Sequence, residues 1–454
     1  MAKKTDGNLK DKLISLGAET LAQVLLELGD QYEPVHKRLE RLVETPEDKL
    51  RRVKAKIAGL KRGRRFIDWR ESSEFAGDLS DLLSDIRACV SDPKTGLKLL
   101  EAFYLTDDAV ISRCDDSDGL VGDVYKSDAK ELFEEYGKLC TDKALVSDLI
   151  FRLSLSNEYG VRDTLIESTG VILDKEQICL LIDRYMEYSD RALKDSDKRE
   201  ALRAVISLAE QIGDAALFEQ TWLIMAEKPW PKLWVDIARQ YLHAGDADTA
   251  YDRLRRVPDD DALAGDGKNK LLLEIYRHQG LEEKRTELLD RMFRSNHSVT
   301  ILNSILESVG EDHRGELIEA AVGDIKRRVG LSYTDLRFLL DCGLHREAES
   351  YLLSRADRIN GDMYSYWLPF AEEMEKAGLV TGASLAYRAL LLSILEKANI
   401  KAYSHAVRYL KKLERLAQAS GDWKSIGEHR LFMEKLVREH GRKASFWAKY
   451  EEAK

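Results

Sequence analysis

Apolar residues recur at three- and four-residue spacing along almost the whole chain. Leu21, Val24, Leu25 and Leu28 share one face of the stretch 18–29, which predicts an amphipathic helix. The segments "EPVHKRLERLVE" (33–44) and "TPEDKLRRVKAKIAGLKRG" (45–63) continue the pattern. The second carries a complete start signal, with Thr45 as N-cap, Pro46 at the first helical position and acids in the first turn. "FIDWRESSEFAGDLSDLLSDIRACV" adds an aromatic anchor and another amphipathic helix. Helical periodicity runs on to residue 200, and no strand-like alternation is long enough to compete with it.

From about residue 200 a repeat emerges. Gly213, Gly245, Gly280, Gly310, Gly343, Gly378 and Gly421 follow one another at intervals of 32, 35, 30, 33, 35 and 43. That is close to the roughly 34-residue period of tetratricopeptide-type hairpins. A helix ends well on a residue free to enter the left-handed region, after which the next helix folds back. Five positions after the glycine stand Phe218, Ala250, Ala348, Ala383 and Ile426, mostly small or apolar, where two helices would approach closely; Arg285 breaks the rule and Gly315 meets it only by size. The pattern predicts an all-α fold, a right-handed superhelix of stacked antiparallel hairpins resembling a tetratricopeptide α-solenoid. Three regions follow: an N-terminal helical segment with a basic stretch (1–65), a helical domain (66–200), and degenerate hairpin repeats closed by a capping helix (201–454).

Composition narrows the reading. Hydrophobic residues make up 44 % and charged residues 33 %, with only 7 prolines and 28 glycines in 454 residues. Such a chain favours helix, above roughly 65 % of the residues. The net charge of −10 argues mildly against wholesale nucleic-acid binding and leaves room for a local basic face. Cys89, Cys114, Cys140, Cys179 and Cys342 are odd in number and widely spaced, which points to a reducing compartment. The first residues, "MAKKTDGNLKDK", hold no apolar core of a signal peptide, and no apolar run approaches a membrane span. A cytoplasmic location follows as the expectation.

The stretches "LGAETLAQVLLELG", "RRFIDWRESSEFA", "DDSDGLVGDVY", "YSHAVRYLKKLERLA" and "EHGRKASFWAKYEE", in that order, resemble an uncharacterised bacterial family of helical proteins, a domain of unknown function numbered 6880. The resemblance spans about residues 10–450. The helical regions attached to SWIM zinc fingers share the "DWRE" and "DDSDG" elements. No catalytic residue is implied by it. A SWIM finger needs two cysteines one residue apart, and no two here are closer than 25 residues, so that zinc module is absent.

Four local features could carry function. The first is "RRVKAKIAGLKRGRRF", with Arg51, Arg52, Lys54, Lys56, Lys61, Arg62, Arg64 and Arg65, no acid, and Phe66 and Trp69 following. Clustered cations beside aromatics suit phosphate contact and base stacking. They equally suit an acidic face of a partner or of this chain, or plain solvated surface. The second is "CDDSDG", where Asp115, Asp116 and Asp118 precede Gly119. It fails the EF-hand pattern, because Cys114 and Tyr125 fall where the first and last ligands belong. It reads instead as an N-cap for a helix carrying Leu120 to Leu139. The third is the C-terminal run with Arg442, Lys443, Phe446 and Trp447, either a cap on the array or a partner-binding hook. The last is the histidine set His405, His429 and His440, which lacks any nucleophile elbow, zinc pair or phosphate loop and reads as packing. Trp222, Trp230 and Trp234 read as core around a turn forced by Pro229 and Pro231.

The sequence therefore predicts a scaffold for another protein, with no cofactor and no bound metal. A nucleic-acid-associated protein using residues 51–65 is the alternative, and an enzyme of unrecognised type the third.

Overall fold

The computed structural model describes residues 6–32, 35, 36, 39, 45–155, 157–261, 263–419, 423 and 426–453. It is 77 % helical, and no strand occurs among the described residues. The nearest thing to sheet is one isolated parallel bridge, Ile67 to Cys114, made by two backbone hydrogen bonds of 2.9 Å. The all-α expectation is met. The 33–44 segment lies largely outside the described residues.

The chain forms two compact units, Met1–Lys268 and Asn269–Lys454. The boundaries expected near 65 and 200 both lie inside the first of these units. Val53 and Ile57 of the helix Pro46–Arg62 are buried in the same core as Leu79, Leu82 and Phe103. Ile178 and Leu181 of the helix Lys175–Arg191 share that core with Val205 and Leu208 of the helix Asp195–Ile212. Burial of these side chains joins the segments that a reading of turns had separated.

Within each unit, helices adjacent in sequence pack on one another, as Asp195–Ile212 does on Ala215–Met225, Pro231–His243 on Ala247–Leu254, and Tyr364–Lys376 on Val380–Glu396. Short turns make each pair antiparallel. The glycines act as expected at five turns, with φ between 68° and 84° at Gly213, Gly245, Gly280, Gly343 and Gly378. At each, the following residue donates back into the helix just ended, for example Asp214 N to Ala209 O at 2.9 Å and Leu344 N to Leu339 O at 2.8 Å. This closes the orphan carbonyls of a helix C-terminus. After Gly213 and Gly245 an aspartate then caps the next helix, Asp214 accepting from Leu217 N and Asp246 from Thr249 N, both at 2.9 Å. After Gly280, Gly343 and Gly378 the residue is leucine, with no side-chain cap. Gly310 differs (φ 98°, ψ 150°) and leads into a 3-10 turn at Glu311–His313. Gly421 lies outside the described residues. Phe218, Ala250, Ala348 and Ala383 are all buried, while Arg285 instead pairs with Glu282 and Glu307.

Two further expectations change. The face Val24, Leu25 and Leu28 of the helix Ala18–Gln31 is exposed and joins neither core. The helix expected to run unbroken from Leu120 is interrupted by a π turn at Val124–Asp128. That turn seats Tyr125, wholly buried, against the Phe103 ring at 4.7 Å. The Tyr125 hydroxyl meets Thr106 Oγ1 at 2.8 Å, and its carbonyl accepts from Tyr104 at 3.2 Å. A wide turn frees a carbonyl for such a bond.

These turns make a paired prediction. A Cβ at Gly343 would meet nothing within 4 Å, so the cost of Gly343→Ala is purely conformational. It should destabilise the protein by about 1 kcal/mol in urea unfolding. Gly323, inside the helix Arg314–Arg327 and equally unobstructed, should give the opposite sign, with Gly323→Ala stabilising by up to about 1 kcal/mol.

Candidate binding sites

The Pro46–Arg62 helix starts as its sequence predicts, with Thr45 Oγ1 accepting from Asp48 N at 3.2 Å and Pro46 at the first position. Its cations do not stand unopposed. Arg51 reaches Asp48 at 2.6 Å, Arg52 reaches Asp85 at 2.7 Å, Lys56 lies 3.8 Å from the same carboxylate, and Arg65 bonds Glu71 at 2.5 Å. Arg62 folds back on its own helix, donating to Ala58 O. Lys54 and Lys61, two turns apart, flank a shallow trough of about 260 Å³. Its floor is Ile57, Ala58, Leu99, Ala102 and Leu105, from this helix and the helix Pro93–Tyr104 with its C-cap. Beyond the helix end, Arg64 is exposed, as are Phe66 and Trp69, and the Arg70 guanidinium stacks on the Trp69 ring at 5.1 Å.

In the aspartate cluster a single residue does the capping. Both Asp116 oxygens accept from the first turn of the helix Leu120–Asp123, from Val121 N at 2.9 Å and Gly122 N at 2.8 Å. Asp115 turns back on Ser117. Asp118 caps nothing in that turn, which corrects the reading of three capping aspartates. Among the described residues no group of three His, Cys, Asp or Glu side chains is placed to hold a metal ion.

The C-terminal run is divided in the same way. Phe446 is fully buried, edge-on to Tyr403 at 5.8 Å, and Trp447 Nε1 donates to His440 O at 3.0 Å. These rings pack on the helix Tyr403–Leu416, and of the four residues only Arg442 is exposed, Lys443 being half-buried. Trp234 is core, but Trp230 stands 45 % exposed with its ring edge against Trp222, so the tryptophan cluster is only half interior. The three histidines do not converge. His405 lies exposed beside Arg408 at 3.1 Å, while His429 and His440 sit on another helix.

Sequence reasoning missed two polar centres. In the first unit, a cleft of about 620 Å³ lies between the 157–167 segment and the helix Asp195–Ile212. Asn157 shapes it, donating to Asp163 at 2.7 Å and accepting from Arg162 N at 3.1 Å. Arg162 is itself buried and forked onto Asp107, with Nε to Oδ2 at 2.7 Å. Glu200 and Asp163 face this cleft, and loss of water on burial pushes both carboxyl groups above their ordinary values. Arg199 and Arg203 stand among them. In the second unit, His297 Nδ1 meets the buried Asp335 at 3.0 Å, and Arg328 grips both Asp335 oxygens at 2.8 and 3.0 Å. Burial pulls that carboxyl upward, but the His297 hydrogen bond and the Arg328 charge outweigh it and leave it low. No local motif marks either centre; the partners are 55 and 38 residues apart.

A family profile matches residues 2–449. The chain belongs to that family, described as Family of unknown function (DUF6880). No curated protein matches it. Among solved structures, a circular tandem repeat protein with novel repeat topology and enhanced subunit contact surfaces is 16 % identical over 94 % of this chain and 92 % of that one, at a TM-score of 0.12. A score that low carries no structural argument. No helix among the described residues is long and apolar enough to cross a membrane.

Two predictions attach to these sites. Asp116→Ala should lower stability by about 1 kcal/mol, with Asp118→Ala near neutral, in chemical denaturation. Glu200 holds its proton to higher pH when folded, so the folded state binds more protons just above the ordinary value of 4.5. Stability is then lost as pH rises from that value through the raised one. Glu200→Gln removes the loss, since its amide oxygen still accepts from Asn157 N. The variant should be more stable than wild type at about pH 7 and converge with it at about pH 4, read from urea midpoints.

Proposed function

We propose that this protein is a helical-hairpin scaffold that binds other proteins, docking an acidic amphipathic segment along the trough between the helices Pro46–Arg62 and Pro93–Tyr104. One observation carries the reading. Arg51, Arg52, Lys56 and Arg65 face acids of their own chain, whereas Lys54 and Lys61 border exposed apolar surface. Apolar contact supplies affinity in such grooves, and flanking charge fixes orientation and speeds encounter. In this reading the protein is not an enzyme, works in the cytoplasm, and uses no cofactor or metal.

A nucleic-acid reading keeps one supporting observation, the exposure of Phe66 and Trp69 beside Arg64. The two separate cleanly. Lys54→Glu/Lys61→Glu should abolish retention of specific proteins by the immobilised chain, while Arg51→Glu, on a paired and outward position, should not. An oligothymidylate probe should bind weakly and lose nothing further on Trp69→Ala. If the probe instead binds with a steep salt slope that Arg64→Ala makes shallower, nucleic acid is the partner and the trough is incidental.

A further inference from the structure

The second unit holds a cavity of about 710 Å³ beside the helix Val380–Glu396. Leu385, Ala389, Leu392, Ile426, Leu431 and Phe432 give it an apolar lining. One wall is the 359–362 segment, pressed so closely on the helix that a Cβ at Gly361 would lie 2.1 Å from Ala389 O. Into this lining projects Arg388, only 6 % exposed. Its Nη1 donates to Ile426 O at 2.6 Å and Nη2 to Gly427 O at 3.0 Å, and its guanidinium lies 4.6 Å from the Phe432 ring centre. Nothing among the described residues offers it a carboxylate.

The other arginine buried to this depth among the described residues has one, Arg162 being paired with Asp107. A guanidinium carries five donors, and here Nε is buried with no acceptor. His429 Nδ1, close enough for Arg388 to influence its titration, is likewise buried without a partner. The acids that line the cavity do not answer the charge. Asp362 is held by Lys397 at 2.6 Å and Ser393 at 2.5 Å, and Glu396 and Glu428 lie at the exposed rim with Lys435. Burial without a counter-ion pushes Arg388 down to about 10. A buried charge of this kind is unfavourable unless an opposite charge meets it.

We propose that the cavity is a binding site for a small amphipathic carboxylate, whose charged end meets Arg388 and whose apolar body lies on Leu385, Leu392 and Phe432. A carboxylate accepts from a guanidinium in a forked pair, which the free Nε–H and an adjacent Nη–H can supply. The cavity suits a hydrocarbon acid or the carboxyl end of an apolar peptide, and the site is independent of the docking trough in the first unit.

Calorimetric titration of the full chain tests this with octanoate, acetyl-Leu-Leu, and their neutral counterparts octanol and acetyl-Leu-Leu amide. Either acid should bind roughly tenfold or more tightly than its neutral partner, and the tighter of the two identifies the source. Arg388→Met should erase that difference while leaving the neutral probes within about twofold. Leu392→Trp, which crowds the apolar lining and keeps the arginine, should weaken acid and neutral binding alike. It decides the matter if Arg388→Met does not fold. The proposal falls if neither acid binds, if acids bind no better than their neutral forms, or if Leu392→Trp binds as wild type does.

Discussion

A stack of short helices multiplies helix ends, and each end leaves backbone carbonyls without intrahelical partners. Disposing of those groups is the constraint on which this structure turns. Glycine turns answer it within a hairpin. Elsewhere, long cationic side chains from later in the chain answer it. Lys143 Nζ donates to Gly137 O at 2.7 Å, at the end of Ala129–Leu139. Arg328 Nη2 donates to Arg294 O at 2.6 Å, at the end of Glu282–Ser295. Arg355 in turn donates to Arg328 O at 2.5 Å, past the end of Arg314–Arg327, and to Gly330 O at 2.9 Å. A positive charge there also suits the negative end of the helix dipole.

The same device explains the two buried ionic centres. Arg162 grips Asp107 and reaches Leu153 O at 3.4 Å, near the end of Lys143–Ser154. Arg328 grips Asp335 while its other nitrogen closes the Glu282–Ser295 helix. Each cation needs a buried carboxylate because carbonyl dipoles alone do not neutralise a desolvated charge. Such a pair is a weak source of net stability, yet losing one member strands the other. Its contribution is placement: it admits one relation between a helix end and the next element. The cleft around Glu200 and Asp163 inherits its shape from this, since Asn157 is held by Arg162's own backbone.

What the sequence disclosed follows from the same physics. The period of the glycines was legible because positive φ is a local demand, and five of them answer it with the same backbone bond. Thr45 and Pro46 were legible for the same reason. The reach of the first core was not. It depends on which apolar faces meet, and Val53 belongs to a core built mainly from residues beyond 75. The interruption at Val124–Asp128 was invisible because Leu120, Val121 and Val124 fit an unbroken helix as well. Asp116 and Asp118 look alike in sequence, and only the path of the chain through Gly119 decides which one reaches the amides. The run 51–65 looked free of acid because its counter-charges lie outside it, Asp48 just before and Glu71 and Asp85 after.

This last point alters how a charged composition should be weighed. With 33 % charged residues, a solvated surface seems the default. Much of that charge is instead engaged in holding helix ends and in pairing across neighbouring helices. A cation in this fold therefore has an ordinary internal task, and density of charge in the sequence says little about binding. The informative residues are those placed without that task. Lys54 and Lys61 border apolar surface instead of a carboxylate. Arg388 meets backbone carbonyls as Lys143 and Arg355 do, but it is far more deeply buried than they are, and unlike the buried Arg162 it lacks an acid. Where the other deeply buried arginine is matched from within, an unmatched one marks where something from outside can complete the pattern.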